Sequence, residues 1–234
     1  MLPKKVNLCA SIITNMKKQV KTNRGIKDEK LEKHPFGRFP KKPNKAKFIL
    51  IGSFPPNKFT INKEKRDYCD RNFFYGSKDN SFWSLFIEAN QIKITWPRGL
   101  QHLKVWLQKN RWVVCDIVEA TYRKKNSASD LDLKPQKWNV CGIDKIFAEN
   151  NIEYIFYTSN WVKRNYKKKV EPHLNHMPNI KNEFVLISPS PAGLISTNWA
   201  RKILKRNKNE TVKQYRSRYY GHVMRSPNSK TKEA

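Results

Sequence analysis

The stretch KFILIGSFPPNKFTINKEKRDYCDRNFFYGSKDNSFW, residues 47–83, decides the fold that this sequence predicts. Its apolar run at 48–51 indicates a buried strand. Gly52 and Ser53 end that strand, and the two prolines after Phe54 stiffen the turn that follows. The polar residues at 79–81 then predict the start of a helix. A strand, a rigid loop and a helix in this order are typical of an open α/β sheet, where ligands bind beyond the carboxyl ends of the strands. A solvated loop without a ligand is the alternative.

Three more apolar runs, at 112–115, 152–158 and 183–187, each predict a strand. Helical patterns alternate with these strands. They cover residues 80–90, 100–108, 141–150 and 211–220, and two further helices are predicted to begin at residues 159 and 196. The segment 117–133 predicts a polar loop. Strands that alternate with helices indicate an α/β fold, which we predict as three α/β/α layers around a central four-stranded, mainly parallel sheet.

Composition divides the chain into three parts. Residues 46–205 hold all the predicted strands and are long enough for one sizeable core. Residues 1–45 are rich in Lys and Asn and predict a basic extension with a short helix at 10–21. We interpret the end of that extension as a mobile linker, with a DNA-contacting arm as the alternative. Residues 206–234 predict a basic C-terminal extension that carries tyrosines.

The charge of the chain points to a polyanionic partner. Lys and Arg number 48 against 19 acidic residues, a formal net charge of +29. Nucleic acid is the leading partner, because cationic side chains release counterions from phosphates, and an anionic membrane is the competitor. No apolar run approaches the roughly 20 residues of a transmembrane helix. We therefore predict an intracellular protein with no membrane partner, cytoplasmic or nucleoid-associated, or nuclear in a eukaryote.

The cysteines, Cys9, Cys69, Cys115 and Cys141, do not predict a bound group. None forms a Cys-x-x-Cys pair, and no histidine stands at ligand spacing from them, which argues against a zinc site or a disulfide framework. An iron–sulfur cluster stays open, because cysteines distant in sequence can meet in space. Small apolar side chains in or near a core are the simpler interpretation. We predict no cofactor and no metal.

Unusual polar or Pro-rich segments follow three of the predicted strands: GSFPPN, DIVEATYR and SPSPAG. Because parallel strands present their carboxyl ends at one edge of a sheet, these loops should meet there. Their convergence is stronger evidence for a site than any one loop.

The order GSFPP, FFYGSKDNSFW, VVCDIVEATYRKKNSASD and LISPSPAG resembles the uracil-DNA glycosylase superfamily, nearest its hypoxanthine-DNA glycosylase-like branch. That branch carries a Gly-Ser-x-Pro loop, an aromatic pair followed by Asn-x-Phe-Trp, a Trp-Asp-Val strand end and a final Ser-x-Ser-Pro-Ala loop. The resemblance spans residues 47–200. It implies that 46–205 form a uracil-DNA glycosylase-like domain that hydrolyses the N-glycosidic bond of a flipped base.

Two positions depart from the family pattern. Many members place Asp, Asn or Glu in the first loop to position the attacking water, and this chain has Phe54 there. Many also have His at the head of the last loop, where this chain has Ser188. The resemblance to the hypoxanthine-type branch implies that Asn80 takes over the catalytic role, with Asn57 as the reserve candidate. A helix-capping amide is the alternative for Asn80.

The resemblance also implies which residues bind the base. Phe54, Phe74 and Tyr75 would sandwich a flipped base, because aromatic stacking suits any nucleobase. Asp116 falls where family members read the base edge, and a carboxylate would favour a base that presents N–H groups. The alternatives are packing of the aromatic loop onto the sheet and an Asp116 that only caps its loop.

Serines beside prolines resemble the loops that pinch DNA phosphates in the family, and Leu194 is a candidate wedge into the base stack. Basic residues near the predicted loops would contact phosphates, although each could also be a solvated surface charge. The candidate DNA-binding residues are Ser53, Ser188, Ser190, Leu194, Lys65, Arg66, Arg123, Lys124 and Lys125.

The sequence thus predicts a monomeric, monofunctional DNA glycosylase that removes a deaminated or otherwise modified base. The DNA would be a duplex with a flipped nucleotide or a single strand. The role would be DNA repair or attack on modified foreign DNA, in antiviral defence. A non-catalytic DNA-binding protein on the same fold is the alternative, and an enzyme acting on a phosphorylated small molecule is disfavoured because the chain has no Gly-rich phosphate loop.

Overall fold

The apolar runs of the sequence become the strands of the central sheet. The computed structural model describes residues 30–42, 45–94, 99–124, 128–188 and 209–229, with side chains of the last segment described to residue 225. The strands in these ranges are β1 (Glu32–Lys33), β2 (Arg38–Phe39), β3 (Phe48–Gly52), β4 (Trp112–Asp116), β5 (Val118–Arg123), β6 (Leu133–Trp138), β7 (Tyr154–Tyr157) and β8 (Asn182–Val185).

The α-helices in the described ranges are α1 (Phe82–Ala89), α2 (Gly99–Lys109), α3 (Val140–Glu149), α4 (Asn160–Lys169) and α5 (Val212–Ser229). Short 3-10 helices lie at Asn57–Phe59, Lys63–Lys65, Asp130–Asp132 and Glu171–His173. None of these described helices combines the length and the apolar character needed to cross a membrane. The helices predicted at 10–21 and from 196 lie outside the described residues.

The central sheet has five strands in the order β2-β4-β3-β7-β8. β3 pairs in parallel with both β4 and β7, and β7 pairs in parallel with β8. These are the four strands that the apolar runs predicted, so the α/β class and the parallel core are confirmed. The four-stranded layout is incomplete, because β2 adds a fifth, antiparallel strand beside β4.

A second sheet, with the antiparallel order β1-β5-β6, corrects the polar loop predicted at 117–133. β5 forms because Val118 and Ala120 alternate with the half-buried Glu119, as a strand with one covered face requires. β6 was not predicted because it contains Pro135, which argues against a central strand. A strand tolerates proline at the edge of a sheet, and β6 is an edge strand.

The two faces of the central sheet bury separate cores. Alternate residues of β3 point to opposite sides, so Leu50 packs with α1, α2 and α5, while Ile49 packs with α3 and α4. The first core is aromatic, and α1 contributes Phe82 and Phe86 to it, both fully buried. Helices therefore cover both faces of the sheet in three layers.

The described parts of both segments that the sequence set aside as basic extensions enter the fold. Residues 30–42 supply β1 and β2, one strand to each sheet. α5 packs on α1, and two of its tyrosines donate to backbone carbonyls at the end of β8: Tyr219 to Val185 at 2.8 Å and Tyr220 to Ile187 at 2.9 Å. The basic tail thus completes one helical layer over the sheet.

Candidate active site

The carboxyl ends of β3 and β4 lie side by side and begin the candidate site. Gly52 pairs with Asp116 in the parallel ladder, so the loop after β3 starts directly beside this carboxylate. The hairpin between β5 and β6 reaches the same edge, because the Ser53 side chain hydrogen-bonds Asp130. The loop after β8 is described only as far as Ser188, which is partly exposed. Two of the predicted loops therefore meet within the described residues.

Asp116 lies at the centre of a buried hydrogen-bond network. Its side chain accepts from His34 Nε2 at 2.7 Å and from the Tyr75 hydroxyl at 3.0 Å, one donor on each oxygen. The other ring nitrogen of His34 accepts from the backbone N–H groups of Phe36 and Gly37. Since Nδ1 is an acceptor, the proton of a neutral His34 ring lies on Nε2 and points at Asp116.

Tyr75 is held in this network against its backbone preference. Its φ of 52° places it in the left-handed region, which is rare for an aromatic residue. The hydroxyl bond to Asp116 and a ring contact with Phe82, with centroids 4.7 Å apart, fix the side chain. Burial and the nearby Asp116 carboxylate hold the pKa of Tyr75 well above its ordinary value, so it is a proton donor.

A glycine is needed at position 52 because the Tyr75 and Asp116 side chains lie directly against this end of β3. A Cβ at Gly52 would overlap with the Tyr75 hydroxyl and with Asp116 Oδ1, and both groups are tied down. The glycine therefore leaves room for a polar network directly against the strand end.

We expect Gly52→Ala to lower the free energy of unfolding by about 1–3 kcal/mol, the usual cost of forcing a methyl group into a packed site. Gly221→Ala is the matched control, because a Cβ there would meet no atom closer than 3.9 Å and the residue lies within α5. The control should be neutral or stabilising, since Ala favours a helix over Gly. Urea unfolding of both variants checks the pair. If the two variants have equal free energies of unfolding, the Tyr75 and Asp116 side chains move aside without a measurable cost, and the argument is wrong.

Asp130 is a site residue that the sequence did not single out. It is half-buried at the start of a 3-10 helix in the β5–β6 hairpin, and its carboxylate is bonded to the Ser53 side chain. Burial, with help from the negative Asp116, raises the pKa of Asp130 to about 6, although Ser53 and Arg123 act in the opposite direction. No spacing in the sequence separated Asp130 from the nearby Asp132.

Arg123 lies inside the protein, at 7% exposure, rather than on a surface open to phosphates. Its Nε pairs with Glu32 Oε1 at 3.0 Å, and its Nη2 donates to the Pro55 carbonyl at 2.9 Å. Glu32 also accepts from the Thr60 hydroxyl at 2.6 Å. The Glu32–Arg123 ion pair thus joins β1 to β5, and Arg123 also holds the Pro-rich loop after β3 through the Pro55 carbonyl.

The predicted aromatic residues line the inner wall of the site. Phe54 packs edge-on against the His34 ring, with centroids 5.5 Å apart, and under the Arg123 guanidinium. Phe74 packs against the other side of His34 at 5.6 Å and against Phe36 at 5.3 Å. Phe54 and Phe74 are 7% and 2% exposed, so both are part of the packed structure and Tyr75 is the more open of the three.

The two candidate amides occupy different positions. Asn80 Oδ1 accepts from the Phe82 N–H at 2.9 Å, at the start of α1, and its Nδ2 has no partner among the residues described. Asn57 is buried at the start of a 3-10 helix, where its carbonyl accepts from the N–H groups of Thr60, Ile61 and Asn62. Asn80 is partly exposed and therefore has the amide that solvent reaches more easily.

The predicted phosphate contacts are only partly described. Lys65 and Lys124 are exposed, and Arg66 is partly buried with its guanidinium 4.9 Å from the centre of the Phe59 ring. Ser53 is bonded to Asp130 rather than open on all sides. The candidates Ser190, Leu194 and Lys125 lie outside the described residues.

No cluster of three or more His, Cys, Asp or Glu side chains in the described ranges is arranged to hold a metal ion. Cys115 is buried in β4, and burial raises the pKa of its thiol. Cys69 and Cys141 are exposed, and Cys9 lies outside the described residues.

Comparison with known proteins gives little further information. No family model matches this chain, and no curated protein matches it. Among solved structures, it is similar to a solution NMR structure from Methanosarcina acetivorans described as a "putative Uracil DNA glycosylase". The two are 16% identical with a TM-score of 0.41, and the match covers 77% of this chain and 92% of that chain. The function of this chain therefore has to be argued from its own residues.

Proposed function

We propose that this protein is a monofunctional DNA glycosylase, which flips a deaminated or otherwise modified base out of DNA and hydrolyses its N-glycosidic bond. The observation that carries the proposal is the meeting of Asp116, Tyr75, Ser53 and Asp130 at the carboxyl edge of a parallel sheet. An edge of this kind is where α/β sheets bind ligands. The motif order in the sequence supports the same function.

The reaction sets three requirements. A sugar that loses its base develops oxocarbenium character, so a polar group must hold water at the sugar. Donors or dipoles must face the departing base, and a pocket must receive it outside the stack. In our proposal Asn80 holds the water, with Asn57 in reserve, while Tyr75 and the adjoining Phe54 and Phe74 form the wall of the pocket.

Base recognition in this proposal involves Asp116, whose oxygens each already accept one hydrogen bond. A carboxylate oxygen has a second lone pair, so an N–H group of the base would share an oxygen with His34 or Tyr75. Because Asp116 is only 3% exposed, the base would have to enter deeply or Tyr75 would have to move aside. A base with an exposed N–H edge fits this arrangement.

DNA is the proposed partner because of the net charge of +29. We expect duplex binding without sequence preference, with affinity falling by about a thousandfold or more between 50 and 200 mM salt if six or more phosphates are neutralised. Lys65→Ala/Lys124→Ala should reduce the slope of log affinity against log salt by nearly two, because each phosphate contact contributes about 0.9.

The control for this prediction uses two exposed lysines at the other end of the fold. Lys168 and Lys169 end α4, which runs away from the carboxyl edge of the sheet, and both are exposed. Lys168→Ala/Lys169→Ala removes the same charge and should change the slope less. Fluorescence anisotropy over a salt series measures both variants. Equal slopes for the two variants would mean that DNA does not prefer the site edge.

Base release is the direct test of the proposed function. The protein is incubated with duplexes and single strands that carry uracil, hypoxanthine or bulky modified pyrimidines, and abasic sites are revealed as strand breaks in alkali. We expect breaks at one or more of these bases and none in unmodified DNA. Tight binding without any release would favour the alternative of a non-catalytic DNA-binding protein. That alternative is supported by the engagement of the Asp116 oxygens and Asn80 Oδ1 in structural hydrogen bonds.

A further inference from the structure

We infer that Asp130 is the catalytic base of this site, the carboxylate that takes a proton from the attacking water. The inference rests on the proposed function and adds to it a residue that neither the motifs nor the resemblance assign. Its basis is position: the β5–β6 hairpin delivers Asp130 to the Ser53 side chain, at the residue that directly follows β3.

Two carboxylates, those of Asp116 and Asp130, lie at this edge in the described part of the structure, and the two residues differ in how exposed they are. Asp116 is 3% exposed and has one donor on each oxygen, so water reaches it poorly. Asp130 is half-buried, and its one side-chain hydrogen bond in the described structure is to Ser53. A general base must lie within hydrogen-bond reach of the proton it removes, which requires an open oxygen. Asp130, which is half-buried and bonded to one side chain, fits this requirement better than Asp116, whose two oxygens both accept already.

Hydrogen bonds tie the turn that carries Asp130 to its surroundings. Ser129 caps it by accepting from the Leu131 N–H at 3.3 Å, and the Lys124 N–H donates to the Asp132 carbonyl at 3.0 Å. On the other side, the Ser53 carbonyl accepts from the Val118 N–H at 3.2 Å. Both partners of the Ser53–Asp130 bond are thus tied to β5 by hydrogen bonds, which favour one position of the carboxylate.

The charges around Asp130 suit a base at neutral pH. Asp116 on β4 and Arg123 on β5 oppose each other, Tyr75 stays neutral, and Lys124 and Asp132 flank the turn. Burial is the largest influence and raises the pKa of Asp130 to about 6. The group is therefore ionised at pH 7–8 and accepts a proton more readily than an ordinary Asp, whose pKa is about 3.9.

The step balances with water as the only co-reactant. The bond between C1′ and the base nitrogen breaks, and its electron pair leaves with the base. A water oxygen bonds to C1′, and one water proton moves to Asp130. The base anion takes up a proton from solvent, and Asp130 returns its proton to solvent. The products are an abasic sugar and the free base.

The test compares Asp130→Asn with Asp132→Asn, a matched control in the same turn with the same loss of charge. Single-turnover base release at pH 8 should fall by about a hundredfold or more in Asp130→Asn, the usual contribution of a general base, and by less than about threefold in Asp132→Asn. DNA affinity should not fall in either variant, because each removes a negative charge.

The pH profile separates a catalytic from a structural role. Wild-type release should rise with a midpoint near pH 6, where Asp130 ionises. Ser53→Ala removes a donor that stabilises the charged form, so its midpoint should move to higher pH. Asp130 has a pKa raised on folding, so its ionisation opposes folding above pH 6. Asp130→Asn should therefore unfold at a higher temperature than wild type at pH 8, and the gain should shrink as the pH falls towards 4.

Each result decides the inference. Loss of release in a folded Asp130→Asn together with the shifted Ser53→Ala midpoint supports it. Near-normal release from Asp130→Asn, or an unchanged Ser53→Ala midpoint, overturns it while the proposed function stands. Should Asp130→Asn not fold, the Ser53→Ala midpoint decides alone. Absence of release by wild type from every modified duplex overturns this inference together with the proposed function.

Discussion

Replacing Arg123 by Met should lower the free energy of unfolding by about 3–5 kcal/mol, the cost of breaking a buried ion pair from one side. The Arg123 and Glu32 side chains are 3% and 2% exposed, so the substitution leaves a carboxylate inside the protein with its main partner removed. It also takes a donor from the Pro55 carbonyl. Urea unfolding measures the loss.

The matched control is Lys137→Met, which breaks an exposed pair between β5 and β6. Lys137 and Glu119 are 2.6 Å apart, with side chains 45% and 42% exposed. Such pairs contribute about 0–1 kcal/mol, so this variant should remain close to wild type. Removing both buried charges, as Glu32→Met/Arg123→Met, should cost less than Arg123→Met alone, because no charge is left unpaired. A single variant no worse than Lys137→Met would contradict the argument.

This ion pair explains why residues 30–42 belong to the fold. Glu32 lies in β1 and His34 follows it, and the partners of both side chains are far along the chain: Arg123 and Asp116, separated by 91 and 82 residues. The sequence around Glu32 and His34 is basic and Pro-containing, which is typical of a linker. Contacts over such separations leave no local pattern, so the sequence could not have revealed them.

The parallel strands β3, β4 and β7 were predictable because each is largely buried. A run such as 48–51 is continuously apolar, and that signal survives without knowledge of its neighbours. β6 has Pro135 and charged residues, since one of its sides faces solvent at a sheet edge. Its stability comes from pairing with β5, and the residues themselves have little preference for a strand.

The site was predictable to a similar extent. Asp116 and Tyr75 were predicted as candidates because one follows a strand end and the other belongs to an aromatic run, and the structure brings the two side chains together. Asp130 was not, because what distinguishes it is its place beside Ser53, and that place depends on the hairpin folding back to the end of β3. Sequence order locates the edge of a sheet, whereas only the three-dimensional structure shows which acid is partly desolvated there.

Asn80→Ala should reduce single-turnover base release by about a hundredfold, which is typical for loss of one positioned polar group. In our proposal the Asn80 amide holds the water at the sugar, and Phe54 in the first loop has no polar atom to replace it. The Oδ1 of Asn80 already accepts from the Phe82 N–H, so Nδ2 is the group that would bind the water. DNA affinity should change little, because phosphate contacts belong to lysines and arginines.

The same substitution removes a structural bond, so a second variant is needed to separate the two roles. Asn80 Oδ1 accepts from the Phe82 N–H at 2.9 Å, and loss of such a bond at a helix start costs about 1 kcal/mol. Asn80→Ser keeps an acceptor for the helix start but has no amide. If the amide holds water, both variants lose release while circular dichroism shows a folded protein. If Asn80→Ser retains near-normal release, the residue serves the helix start alone, and the catalytic test moves to Asn57.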